Sequence, residues 1–213
     1  MQELISQKAE EYVAGFSSRE DELLRSISDY TLRFHPQAQM LSGHVQGRFL
    51  SMISCLVRPH RILEIGTFMG YSALCLAEGL QPNGKLYTLE IREDDAARAK
   101  EYFSNSLYNN KIVLQTGDAL QLIPGLHEEW DIVFIDADKV GYIEYYELTL
   151  PFVKRNGLVI ADNVLFHGEV LHEKITGKNA KAIDRFNQHV SKDKRVEQVL
   201  LTVRDGISLI RKL

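Results

Sequence analysis

The sequence predicts an α/β fold: a doubly wound, mainly parallel sheet of seven strands, with the last strand antiparallel and a helical extension in front. Three observations predict it. From about residue 58 onward, short apolar runs alternate with stretches of helical periodicity, the pattern of parallel strands covered on both faces. One run, Arg61–Ile65, passes through Gly66 and Gly70 into a helical stretch at Tyr71, a strand–turn–helix unit. Near the carboxyl end, Asp205-Gly206 separates two apolar runs, the signal of a hairpin. Residues 1–213 read as one domain, with a helical preface over 1–57 and an α/β core over 58–213.

The preface reads as entirely helical. Ser17-Ser18-Arg19-Glu20 offers a capping box, and Leu23, Leu24, Ile27, Tyr30 and Phe34 then recur at helical spacing until Pro36. Met40–Gly43 is a loop, and Gln46 to Leu56 a further helix. In the core, Ile62, Leu63 and Ile65 make the first strand, and Leu74, Leu76 and Leu80 mark the helix after it. Lys85–Glu90 is the second strand, Arg92–Leu107 a charged amphipathic helix, and Lys111–Thr116 the third strand. Trp130–Ile135 and Gly157–Ala161 are the fourth and fifth, flanking a helix whose Tyr142, Tyr145 and Tyr146 read as core and flank. Asn179–Val190 is a helix, and Val196–Val203 and Ile207–Ile210 form the final hairpin. An antiparallel hairpin there departs from pure Rossmann topology.

Composition weighs against several classes without excluding a nucleic-acid partner. The chain of 213 residues is 45% hydrophobic and 25% charged, with a net charge of −4. That balance argues against binding nucleic acid by bulk electrostatics. No apolar run reaches membrane-spanning length, and the amino terminus, with Glu3, Lys8, Glu10 and Glu11, lacks a signal-peptide core. Cys55 and Cys75, both in apolar helical surroundings, read as buried thiols, which fits a cytoplasmic protein.

The turn after the first strand is neither the Gly-x-Gly-x-x-Gly of dinucleotide folds nor a Walker loop. Glu64, inside the end of the strand, suits a ligand that carries an ammonium and a carboxylate but no phosphate, and S-adenosylmethionine is one. The alternative is a generic strand–helix turn with no ligand. Glu90 ends the next strand, where an acid is placed to bond a ribose diol. Glu64, Glu90, Asp136 and Asp162 all end strands, with Asp118 after the third, so they converge on one sheet edge. Asp136, Asp162 and Asn163 offer three oxygen ligands, which suits Mg²⁺ first, then Mn²⁺ or Ca²⁺. Taken alone, each acid reads as a helix cap, Asp118 above all.

Glu64–Ser72, Phe134–Lys139, Asp162-Asn163-Val164 and Asp205-Gly206 together resemble the cation-dependent O-methyltransferases, the class I methyltransferase family of catechol and caffeoyl-CoA enzymes and their compact bacterial relatives. The resemblance runs from about Met40 to the end. It implies a cation at Asp136, Asp162 and Asn163, with Lys139 as general base. It implies S-adenosylmethionine contacts at Met40, Glu64, Gly66, Gly70, Ser72, Glu90, Asp118, Ala119 and Asp136. Its acceptor would be a catechol-type small molecule, its oligomer a homodimer. A lysine beside a bound cation should release its proton more readily than a free one.

The chain departs from the family in places. Thr202 stands where animal catechol enzymes carry a glutamate, and Asp138 where they carry a tryptophan. The amino-terminal extension of the plant enzymes is absent from this sequence. Other readings are a caffeoyl-CoA-type acceptor and a hydroxyuridine of tRNA. The second draws on seven Lys/Arg against two Asp over 174–195. A non-catalytic binding module and a nicotinamide-dependent oxidoreductase are further alternatives. His167 reads first as a surface-loop residue and second as a wall of the substrate mouth; for His44 a place facing the cofactor is the second reading, not the first.

Overall fold

The computed structural model describes residues 5–213; Glu3 and the rest of the first four residues of the preface lie outside them. Among the described residues the strands are β1 (Arg61–Ile65), β2 (Lys85–Glu90), β3 (Ile112–Thr116), β4 (Trp130–Ile135), β5 (Val153–Asp162), β6 (Val196–Leu201) and β7 (Ile207–Lys212). They form one sheet in the order β3-β2-β1-β4-β5-β7-β6. β1 to β5 pair parallel, while β7 runs antiparallel to both β5 and β6. The expected final hairpin is therefore present, inserted beside the fifth strand. β5 begins at Val153, four residues earlier than its apolar run suggests.

Between the strands lie α4 (Tyr71–Ala77), α5 (Glu93–Ser104), α6 (Ala119–Leu122), α7 (Tyr142–Thr149) and α8 (Lys178–Ser191). The period-two alternation of each strand feeds two separate cores. Ile62, Ile132 and Phe134 pack on one side with Leu74, Leu76 and Phe103. Leu63, Ile65, Val133 and Ile135 pack on the other with Tyr142, Tyr146, Ile183 and Phe186. Strand order reverses between β1 and β4, so a crevice opens at their carboxyl ends, where open α/β sheets bind ligands.

The preface holds α1 (Gln7–Phe16), α2 (Glu22–Phe34) and α3 (His44–Val57), with a 3₁₀ turn at Ala38–Met40. It is thus helical with breaks. The capping box is displaced: Asp21, not Ser17 or Ser18, caps α2, its Oδ1 accepting from Leu24 N at 2.7 Å. Ser17 instead closes α1, its hydroxyl donating to Val13 O at 2.7 Å. A further correction concerns the cysteines. Cys75 is buried as expected, but Cys55 is exposed, on the outer face of α3.

Candidate functional site

A cavity of about 530 Å³ occupies the crevice at the carboxyl ends of β1, β2, β4 and β5. The β1–α4 turn forms its floor. Gly66 lies there at φ +99°, and a Cβ would fall 2.0 Å from the Asp136 carbonyl oxygen, so only glycine fits. Gly66, Ser72, Glu90, Asp118 and Ala119 all line the cavity, with Met40 on its rim. Glu90 Oε2 accepts the Phe68 N–H at 2.6 Å and Oε1 the Arg92 N–H at 3.0 Å, leaving lone pairs for a ligand hydroxyl. Asp118 caps α6 through Leu120 N, so it is both a cap and a wall.

Two expected cofactor contacts sit elsewhere. Gly70 lies behind the wall, at φ +81°, where a Cβ would meet the Phe103 ring at 2.5 Å. Glu64 is fully buried beneath the floor and does not line the cavity. Ser72 Oγ donates to its Oε1 at 2.6 Å and Thr88 Oγ1 to its Oε2 at 2.5 Å. Burial pushes its carboxyl up to about 8; the two hydroxyl donors oppose this, and Asp136 and Glu90 add to it. Glu64 therefore holds Ser72 in place from below. Its strand position alone does not distinguish that role from direct contact.

At the other end of the cavity, Asp136, Lys139, Asp162 and Asn163 come together. Asp136 follows β4, and its N–H bonds Ile65 O, continuing the parallel register. Asn163 takes a left-handed backbone, φ +56°, which asparagine tolerates, and this turns the chain out of β5. Lys139 Nζ donates to Asp136 Oδ1 at 2.9 Å, Asn163 Oδ1 at 2.6 Å and the Tyr142 hydroxyl at 2.7 Å. Tyr142, read from sequence as core, thus also belongs to the lysine's surroundings. Its hydroxyl lies within 3.0 Å of Asp162 O.

Charges in this cluster depend on one another. Burial opposes the Lys139 ammonium, but Asp136, Tyr142 and Asp162 outweigh it and hold its pKa above the ordinary lysine value. That is opposite to the direction expected beside a cation. Asp162 is raised from the usual carboxylate range by burial and by Asp136. Among the described residues no three His, Cys, Asp or Glu cluster as a metal site. The candidate set has only two acids, and its third oxygen is an amide. Its fit to a hard cation rests on an observation: Asp136 Oδ1 and Asn163 Oδ1 already converge on one positive charge, the Lys139 ammonium.

Sequence reasoning missed Gln46 and the side chain of Asp205. Gln46 is buried and donates to Asp162 Oδ2 at 2.5 Å. Asp205 accepts from Asn163 Nδ2 at 3.2 Å and from His167 N at 2.5 Å. A polar residue inside a mainly apolar helical stretch was the available signal for Gln46. His167 does line the cavity, and His44 does not; its ring nitrogen lies 2.6 Å from Ser18 O. In the basic stretch, Arg195 is tied to Asp193 and Glu147, and α8 packs its apolar face on the core.

Comparison with known proteins gives a consistent picture. The family described as O-methyltransferase matches residues 14–213. A catechol O-methyltransferase of Niastella koreensis is 32% identical, over 98% of this chain and 98% of its own. Caffeoyl-CoA O-methyltransferase 3 of Nicotiana tabacum is 30% identical, over 92% of this chain and 85% of its own. Among solved structures, the S-adenosylhomocysteine-bound methyltransferase PaMTH1 of Podospora anserina is similar with a TM-score of 0.89. It is 28% identical, over 97% of this chain and 94% of that one.

Proposed function

The chain belongs to the O-methyltransferase family, and from that premise we propose that it moves the methyl group of S-adenosylmethionine to one hydroxyl of a catechol-type small molecule, with Mg²⁺, Mn²⁺ or Ca²⁺ at Asp136, Asp162 and Asn163. One observation carries this reading: the oxygens of Asp136 and Asn163 meet around the Lys139 ammonium, in the same cavity as Ser72 and Glu90. The donor's place is the end walled by Met40, Gly66, Ser72, Glu90, Asp118 and Ala119, where Glu90 offers carboxylate lone pairs to a ribose diol. The acceptor's place is the end near Lys139 and His167.

When bound, the cation would stabilise an acceptor oxyanion as a Lewis acid. The residues themselves do the rest. Lys139 is the candidate base, and the groups that now hold its proton are the proposed cation ligands. With Asp136 and Asn163 engaged elsewhere, Lys139 loses the partners that stabilise its charge, and proton acceptance becomes accessible. The cavity walls hold the two reactants in line, and catalysis of this kind is mostly positioning. The exposed apolar side chains of Tyr12, Phe16, Met52 and Leu56 support a homodimer. Among the described residues no helix is long and apolar enough to cross a membrane, and the reading places the enzyme in the cytoplasm.

The test removes the cation. Treatment with EDTA should abolish methylation of a simple catechol while leaving S-adenosylhomocysteine binding intact, and Mg²⁺ or Mn²⁺ should restore it. The corresponding mono-phenol should react at least ~100-fold more slowly, since one chelating oxygen is gone. Full activity of protein shown to be metal-free, or equal rates on the two acceptors, would remove the cation from the account.

A further inference from the structure

We infer that Gln46 and Arg204 are positioning residues for the cation site, Arg204 fixing the amide of Gln46 and Gln46 fixing the carboxylate of Asp162. The inference rests on the proposal that Asp162 is a cation ligand.

Gln46 lies on α3, far from β5 in sequence, yet it is only 1% exposed and its Nε2 donates to Asp162 Oδ2 at 2.5 Å. The other oxygen, Oδ1, accepts the N–H of Asn163 at 2.7 Å. Both carboxylate oxygens are therefore held by donors, and the group is not free to rotate. A ligand fixed beforehand by such partners loses less freedom when a cation arrives.

A glutamine amide can present either its nitrogen or its oxygen to a neighbour. Turned over, Gln46 would aim Oε1 at the Asp162 carboxylate, acceptor against acceptor. Arg204 selects the productive orientation: its Nη1 donates to Gln46 Oε1 at 3.3 Å and to Leu41 O at 3.0 Å. A guanidinium only donates, so it cannot accept the amide NH₂ in place of the oxygen. The carboxylate on one side and the guanidinium on the other leave one arrangement.

The backbone of Arg204 points the same way. It sits at φ +47° in the final hairpin turn, a conformation that glycine adopts without strain and arginine does not. What arginine adds there is its side chain. The next residue, Asp205, bonds Asn163 Nδ2 directly. One turn thus addresses two of the three proposed ligands, Asn163 through Asp205 and Asp162 through Gln46. The same guanidinium also ties down the carbonyl of Leu41 beside Met40 on the cavity rim.

The experiment measures Mn²⁺ binding to the full chain by the electron paramagnetic resonance of the free ion. It compares wild type, Gln46→Met, Arg204→Gly and the double variant. S-adenosylhomocysteine affinity and melting temperature are recorded for each. Gln46→Met keeps the volume and removes both polar atoms, and it should weaken Mn²⁺ binding by about 10- to 100-fold. Its S-adenosylhomocysteine affinity should stay within about twofold. Arg204→Gly relieves the backbone, so the fold is retained, and it should weaken Mn²⁺ binding by a smaller factor. Because Arg204 acts through Gln46, the double variant should bind Mn²⁺ no more weakly than Gln46→Met alone. Unchanged Mn²⁺ affinity in both single variants would overturn the inference and leave the cation site standing. Parallel losses of Mn²⁺ affinity, S-adenosylhomocysteine affinity and melting temperature would show a merely structural role and overturn it too. A wild type that binds no Mn²⁺ would overturn the reading of the site itself, and the inference with it.

Discussion

At the scale of single residues, Lys139 in the cavity and Glu64 beneath its floor have titrations pushed in the same direction for different reasons. Lys139 is held charged by acids around it; Glu64 is pushed toward its neutral form by burial. Lys139→Ala should reduce single-turnover methylation by about 10²- to 10⁴-fold, the range for a lost general base, with little change in methyl-donor affinity. Lys139→Arg should not rescue it, because guanidinium keeps its proton near neutral pH. An active Lys139→Ala would take the base role from this residue. For Glu64, the folded value of about 8 lies above the ordinary 4.5, so the folded state binds the proton more tightly. Its contribution to stability is then fully present at low pH and is lost as pH rises through this window. The slope approaches about 1.4 kcal/mol per pH unit at most. In Glu64→Gln that loss is absent, so denaturant titrations at pH 5.5 and pH 8 should show wild type falling relative to the variant. A constant gap between the two would mean that Glu64 is ionised in the folded protein.

At the scale of elements, the strands were largely legible and the caps and buried polar partners were not. Short apolar runs place β1, β2 and β4 at their observed bounds, because a strand buried on both faces leaves little choice of residue. The acids ending β1, β2, β4 and β5 were readable as a set, since parallel strands bring their carboxyl ends to one edge. What the sequence does not carry is which of them reaches the cavity. Glu64 and Glu90 end neighbouring strands, and only the neighbours Ser72 and Thr88 draw the first one under the floor. Likewise Gln46 meets Asp162 only through the packing of α3 on the core. The start of α2 was misplaced because Ser17 and Asp21 are both good caps, and local pattern alone does not rank them. The structure ranks them: Leu24, Ile27 and Thr31 are the buried face of α2, and Asp21 sits three residues before the first of these. Asp21→Ala should therefore cost about 1 kcal/mol of stability in denaturant unfolding. Ser17→Ala should leave α2 unaffected, and an equal cost for the two substitutions would return the cap to the earlier site.

At the scale of the whole molecule, the cavity joins parts of the chain that are far apart in sequence. Met40 and Leu41 come from the preface, Gly66 and Glu90 from the first half of the sheet, and Arg204 and Asp205 from the last hairpin. A ligand seated there touches elements that separate on unfolding, so its binding energy adds to global stability and not only to a local loop. At 100 times its dissociation constant, S-adenosylhomocysteine should contribute about 2.7 kcal/mol. For a chain of this length that corresponds to a rise in melting temperature of roughly 5–11 °C. A nicotinamide dinucleotide at the same concentration should produce no shift. The β1–α4 turn places Phe68 where a dinucleotide fold has its second glycine, and the Phe68 N–H is already given to Glu90 at 2.6 Å. The two ligands share an adenosine, so the comparison isolates what the cavity offers beyond it: Ser72 and the acid cluster for an amino-acid tail, against a pyrophosphate that would meet Asp136 and Asp138. An equal shift with both would mean that the cavity recognises adenosine alone.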